Sequence, residues 1–140
     1  MNSVLFSSEN EVWATPQDFF DKLNDEFGFN LDPCAIPENA KCERFFTPEM
    51  DGLKQNWGGA KVFCNPPYGR KIGAWVQKCY EESQKPDTTV VLLIPARTDT
   101  AYFHDYIYHK AKEIRFVRGR LKFGGAKCGA PFPSMVVVYR

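Results

Sequence analysis

Asn65-Pro66-Pro67-Tyr68-Gly69 directly follows the apolar run Lys61-Val62-Phe63-Cys64. Pro66 and Pro67 have fixed φ and no N–H, so a buried strand must stop there. Asn65 precedes a proline and is biased toward extended backbone, which aims its side chain off the strand end. Its side-chain oxygen and the Pro66 carbonyl are hydrogen-bond acceptors. Tyr68 sets an aromatic face beside them, and Gly69 lets the chain turn away. Two acceptors converging beside an aromatic plane suit a flat group bearing an NH₂, such as the exocyclic amine of adenine. A strand, a Pro-Pro turn and a surface tyrosine are the bland alternative, and five residues do not decide between the two.

The elements that position this tip are legible from periodicity. Thr15-Pro16-Gln17-Asp18 is a helix start, with Thr15 as cap and Pro16 at the first helical position. Phe19, Phe20, Leu23 and Phe27 form an apolar stripe, and Gly28 is a natural stop. Phe29 to Asp32 alternates as a short strand ending at Pro33, and another short strand is expected at Arg44-Phe45-Phe46. After the tip, Ile72, Trp75, Val76, Cys79 and Tyr80 predict an amphipathic helix. Thr88 to Ile94 is a central buried strand that ends at Pro95. Tyr102, Phe103, Tyr106 and Ile107 suggest a further helix. Ile114 to Val117, Leu121 to Phe123 and Met135 to Tyr139 are expected strands. Strands alternating with helices predict an α/β fold with a mostly parallel sheet, its last strands able to pair antiparallel. Asp32, Asn65 and Pro95 each end a strand at a proline, so all three should crowd one rim, where ligands of such sheets bind.

A chain of 140 residues, 44% hydrophobic and 25% charged, is expected to be one globular domain, with residues 1–12 as an arm. The longest apolar run, Val90 to Ile94, is too short to span a membrane. Five cysteines without a C-x-x-C pair indicate neither a disulfide framework nor a zinc site, and point to the cytosol. The net charge of +1 hides an asymmetry. Residues 1–95 carry a formal charge of −5 and residues 96–140 a charge of +6, which suits a polyanion such as nucleic acid as well as it suits a solvated basic face.

Asn65-Pro66-Pro67-Tyr68 after a strand is similar to the catalytic motif of adenine-specific DNA methyltransferases. The chain from about Trp13 to Tyr139 resembles the small phage-type DNA N-6-adenine methyltransferase (Dam) family, with Pro95-Ala96-Arg97-Thr98-Asp99-Thr100 and the run Arg118 to Gly125 belonging to the pattern. The resemblance implies a compact Rossmann-like methyltransferase fold, S-adenosylmethionine as methyl donor, DNA as substrate and a phage or prophage protein in a bacterial host. It implies catalytic roles for Asn65, Pro66, Pro67 and Tyr68. It places Thr15 and Pro16 at the methionine part of the donor, Asp32-Pro33-Cys34 at the first cofactor motif, and Asp51 at the donor's adenine amine. Phe45 or Phe46 would stack on that ring. Tyr68 would stack on a flipped target base, with Phe123 or Phe132 as a second wall. Arg70, Lys71, Arg97, Arg115, Arg118, Arg120 and Lys127 are candidate phosphate contacts. There are departures. No glycine lies between Cys34 and Cys42, and the short span from Asp32 to Asp51 leaves the ribose-binding acid open among Glu38, Glu43 and Glu49. An RNA or protein-glutamine acceptor, or a binding module without catalysis, are the competing readings.

Overall fold

The computed structural model describes residues 14–125 and 129–140; the arm expected at 1–12, Lys127 and Cys128 lie outside the described residues. Helix α1, Gln17–Phe27, buries Phe20, Leu23 and Phe27 on one stripe. It stops at Gly28, whose φ of 67° lets its N–H reach the Asn24 carbonyl at 2.8 Å. Its start corrects the sequence expectation. Pro16 occupies the cap position with no side-chain cap bond, because the Thr15 side chain is turned inward and is buried.

Four strands form the sheet: β1 (Lys61–Cys64), β2 (Thr89–Pro95), β3 (Glu113–Phe116) and β4 (Ser134–Tyr139), in the order β1-β2-β4-β3. β1 and β2 are parallel, whereas β4 runs antiparallel to both β2 and β3. The fold is α/β with a mixed sheet, and the expectation of a mostly parallel one holds for a single strand pair. The cause is connectivity: β4 returns from the 117–133 loop, without a crossover helix, and slots between β2 and β3.

Parallel pairing continues past β1 only as the bridges Leu31↔Val62 and Asp32↔Phe45. The strands expected at 29–32 and 44–46 shrink to these contacts because Pro33 has no N–H to extend a ladder. Asp32 and its neighbour strand exchange two bonds, Asp32 N–H to the Arg44 carbonyl and Phe46 N–H to the Asp32 carbonyl, both 3.0 Å. No strand forms at Leu121–Phe123; a 3₁₀ turn, Phe123–Gly125, replaces it around Gly124 at φ 59°.

Helix α2, Ile72–Ser83, packs Trp75, Val76 and Cys79 onto the sheet, and its Tyr80 meets Tyr139 edge-on at 6.1 Å. Helix α1 covers the opposite face, where Phe20 sits edge-on to Phe63 at 5.1 Å. The helix expected at Tyr102–Ile107 is a π-helical turn, Phe103–Ile107, closed by Tyr108 N–H to the Phe103 carbonyl at 2.8 Å. Among the described residues no helix is long and apolar enough to cross a membrane. The register sets Pro95 opposite Ser134 and Phe116 opposite Met135. The ends of β1, β2 and β3, the start of β4 and the Asp32 bridge therefore share one rim.

Candidate active site

Asn65 leaves the end of β1 half-buried. Its carboxamide Nδ2 donates to Thr15 Oγ1 at 2.9 Å, across 50 residues of chain. This bond anchors the carboxamide in one rotamer at the end of β1. The backbone is held too, since the Cys34 thiol donates to the Asn65 carbonyl at 3.3 Å. Cys34 Sγ lies 3.8 Å from Cys64 Sγ, and burial pushes both thiols above their ordinary pKa. They are neutral packing groups beneath the tip.

Pro66 is buried and Pro67 half-buried. Tyr68 is buried, with its hydroxyl donating to the Leu93 carbonyl at 3.1 Å. That carbonyl lies one residue past the last β1–β2 pair, Cys64↔Leu92, so the phenol closes the ladder where the prolines broke it. Phe123 and Phe132 meet the Tyr68 ring edge-on at 6.3 and 5.6 Å. Tyr68 is therefore a fixed, buried wall, and the alternative of a surface tyrosine does not hold.

Asp32 is buried, and its carboxylate accepts the backbone N–H of Lys41 at 3.0 Å and of Cys34 at 3.4 Å. Burial raises its pKa to about 6, against the two N–H groups and Lys41, which pull it down. Pro33 is buried beside it. A Cβ on Gly52 would come 2.0 Å from the Pro33 carbonyl oxygen, so glycine is required for this approach. That contact places Asp51 next to the motif, at φ 56° and with its own carboxylate accepting the Leu53 N–H at 3.2 Å. Phe45 and Phe46 are half-buried, and the Arg44 guanidinium lies 5.5 Å over the Phe46 ring. Glu38, Glu43 and Glu49 are all exposed.

Two concavities flank the tip. A crevice of about 20 Å³, room for about one water, is lined by Ala14, Thr15, Asp32, Cys34, Lys41 and Asn65, among others. A cleft of about 520 Å³, in the usual range of ligand sites, is lined by Tyr68, Ile72, Arg97, Thr100, Tyr102 and Phe132, among others. Asn65 and Tyr68 thus stand between a carboxylate-bearing crevice and a larger aromatic cleft. Of the residues expected from the sequence, Thr15, Asp32, Cys34 and Asn65 gather at the crevice, while Tyr68 and Arg97 gather at the cleft. Pro16 and Asp51 line neither, and Phe123 lies behind Tyr68. Lys41, Thr100 and Tyr102 were not singled out as site residues. Thr100 lay in the Pro95–Thr100 stretch of the family pattern without a role of its own, and the signal for Tyr102 was its place just past a strand that ends at a proline.

The basic candidates divide. Arg70, Lys71, Arg97 and Arg118 are exposed near the rim, and no carboxylate pairs with them among the described residues. Arg120 is exposed and donates to the Ala130 carbonyl at 3.1 Å, clasping the 121–130 loop. Arg115 is a correction. Its guanidinium forms a two-pronged pair with Glu26 at 2.7 and 2.6 Å and also binds Glu113. Those two carboxylates neutralise it, so it is no phosphate contact as it stands.

A family model described as DNA N-6-adenine-methyltransferase (Dam) matches residues 2–138. A DNA N-6-adenine-methyltransferase of Haemophilus phage HP1 (strain HP1c1) is 31% identical over 140 residues, covering 94% of this chain and 80% of that protein. One of Escherichia phage T1 is 36% identical over 106 residues, covering 74% of this chain but 44% of that longer protein. With the Asn-Pro-Pro-Tyr tip at the sheet rim and nearly the whole chain matched, this protein belongs to the DNA N-6-adenine-methyltransferase (Dam) family.

Proposed function

We propose that the Asn65 tip is where this chain, an adenine-specific DNA methyltransferase by family, transfers a methyl group from S-adenosylmethionine to the exocyclic amine of adenine. The observation that carries the assignment is the Thr15–Asn65 bond, which anchors the carboxamide at the crevice three residues before cleft-lining Tyr68. We take residues 1–140 as one catalytic domain, in keeping with a family match over residues 2–138.

When bound, S-adenosylmethionine supplies an electrophilic methyl group on a sulfonium. The crevice suits the amino-acid end of that molecule in kind. Asp32 offers a buried carboxylate to an ammonium, Thr15 a hydroxyl, and Lys41 a cation near a carboxylate. At about 20 Å³ it must widen to take more than a water. Asp51 is assigned to the donor's adenine amine, with Pro16, Pro33 and Cys34 shaping the path between.

At the tip, the Asn65 oxygen and the Pro66 carbonyl hold the two N–H bonds of the target amine. The amine is a poor nucleophile because its lone pair is delocalised into the ring. Two acceptors draw the nitrogen toward a tetrahedral shape and stabilise the positive charge that develops on it. The proton leaves after transfer, so no strong base is required beforehand. A base within a duplex cannot reach the tip and is extruded into the cleft, where Tyr68 and Phe132 provide aromatic walls. Arg70, Arg97 and Arg118 hold phosphates, positioning the duplex without reading its sequence.

The test is transfer of labelled methyl from S-adenosylmethionine to unmethylated DNA, digested afterward to nucleosides. Label is expected in methylated adenine. Asn65→Ala is expected to lose nearly all transfer while DNA affinity stays within about twofold. An Asn65→Ala protein with near wild-type turnover overturns the assignment.

A further inference from the structure

Phe116 ends the edge strand β3 and is 66% exposed, more than any other large apolar side chain among the described residues. A single exposed apolar residue is ordinary; the position of this one is not. Side chains alternate along a strand, and Arg115 reaches Glu26 on the α1 face. Phe116 therefore projects from the opposite face. This is the face of Tyr139, which meets Tyr80 of α2 and donates to the Tyr106 carbonyl at 2.6 Å. The aromatic cleft opens on the same face, since Ile72 at the start of α2 and Tyr102 before the π-helical turn line it.

The distance follows from the register. Phe116 pairs with Met135, and Met135 with Ile94, the residue before cleft-lining Pro95. Two strand spacings put Phe116 on the order of 10 Å from the cleft wall, on the cleft's own face of the sheet. The chemistry of its surroundings suits the same partner. Arg118, Arg120 and Lys122 follow it and are exposed. Glu113, the carboxylate on its own strand, is tied to Arg115.

We propose that Phe116 is an apolar wedge that enters the base stack of duplex DNA beside the extruded adenine. An apolar side chain inserted between base steps partially unstacks them and kinks the duplex, which leaves less stacking to break when a nearby base is extruded. Arg118 anchors the adjoining phosphates. This rests on the reading of the cleft as the seat of an extruded base. The wedge matters for duplex and not for single strands, whose bases need no extrusion.

The experiment compares wild type, Phe116→Ser and Phe116→Leu on unmethylated genomic DNA, native and heat-denatured. Because the side chain is exposed, neither substitution disturbs the core. Phe116→Ser is expected to lose at least about tenfold in kcat/KM on native DNA and to stay within about twofold on denatured DNA. Phe116→Leu should recover part of the native rate. Equal losses on both substrates, or none on native DNA, overturn the wedge. A second measurement does not need turnover: closed circular plasmid is relaxed by a topoisomerase in the presence of each protein, then freed of protein. Wild type should leave a linking-number deficit that Phe116→Ser reduces, and equal deficits overturn the proposal. Absence of methyladenine with wild type refutes the function above while this unwinding still judges the wedge. Sedimentation that shows a DNA-free wild-type dimer and a Phe116→Ser monomer would instead make Phe116 a contact between copies of the chain.

Discussion

Replacing Thr15 by valine removes one oxygen from a buried position and keeps the branched shape. Thr15 Oγ1 accepts from Asn65 Nδ2 at 2.9 Å, and Thr15 is 5% exposed. Two effects separate. Leaving a buried donor without this partner costs roughly 1–3 kcal/mol of stability, a fall in Tm of roughly 3–10 °C for a domain of this size. The second effect falls on the chemistry. The net worth of such a bond, about 1–1.5 kcal/mol, is close to a tenfold preference for the anchored rotamer of Asn65. Without it the side chain leaves that rotamer more often, and a misplaced acceptor costs up to about a hundredfold. Single-turnover transfer at saturating DNA should thus slow roughly 10- to 100-fold in Thr15→Val. Thr15→Ser, which keeps the hydroxyl, should recover most of the rate. Donor affinity, measured by calorimetry, separates this effect from loss of the crevice. A Thr15→Val protein that melts earlier yet turns over within about twofold of wild type would reduce the bond to packing. So would a Thr15→Ser protein as slow as the valine variant.

Tyr68→Phe deletes the hydroxyl that satisfies the Leu93 carbonyl and should cost about 1–2 kcal/mol in denaturant melts with transfer largely kept. Tyr68→Ala should cost about 3–5 kcal/mol and lose transfer as well, because the cleft loses a wall; equal losses of transfer in the two would refute a role for the ring. For Asp32, burial raises the folded pKa to about 6, against about 3.9 in the unfolded chain. The fold favours the protonated form. Its contribution is fully present below about pH 4 and is lost as pH rises through about 6, on the order of 2–3 kcal/mol. Melting wild type and Asp32→Asn between pH 4 and 8 should show their stability difference moving in favour of the asparagine as pH rises, and parallel curves would refute the buried titration.

Elements with a strong local signature were legible in the sequence. The α2 stripe from Ile72 to Tyr80, the Gly28 stop and the proline-terminated β2 all stand close to where the pattern put them. The tip and its rim were legible because a proline after an apolar run is a local fact. What failed was set by tertiary partners. Thr15 has the sequence of a helix cap, yet its hydroxyl found Asn65, and no local rule announces a partner 50 residues away. Arg115 looked like a phosphate contact because Glu26 lies 89 residues distant in the chain. The sheet's direction depended on where β4 inserts, which strand periodicity does not encode. The motif singled out Tyr68, but not its buried seat, because the carbonyl its hydroxyl binds belongs to another strand.

The bridges Leu31↔Val62 and Asp32↔Phe45 give this molecule two unequal halves. β2 and β4 share a six-residue register, whereas the Asp32 flank pairs through two single bridges and a few backbone bonds, such as Ala35 N–H to the Phe46 carbonyl. Openings that expose few backbone bonds and little core cost far less than global unfolding. Amides near Asp32 and Phe46 therefore exchange with solvent through excursions that leave the β2–β4 ladder shut. A ligand held by that flank stabilises the closed form by mass action, and its measured affinity includes the work of closing the flank.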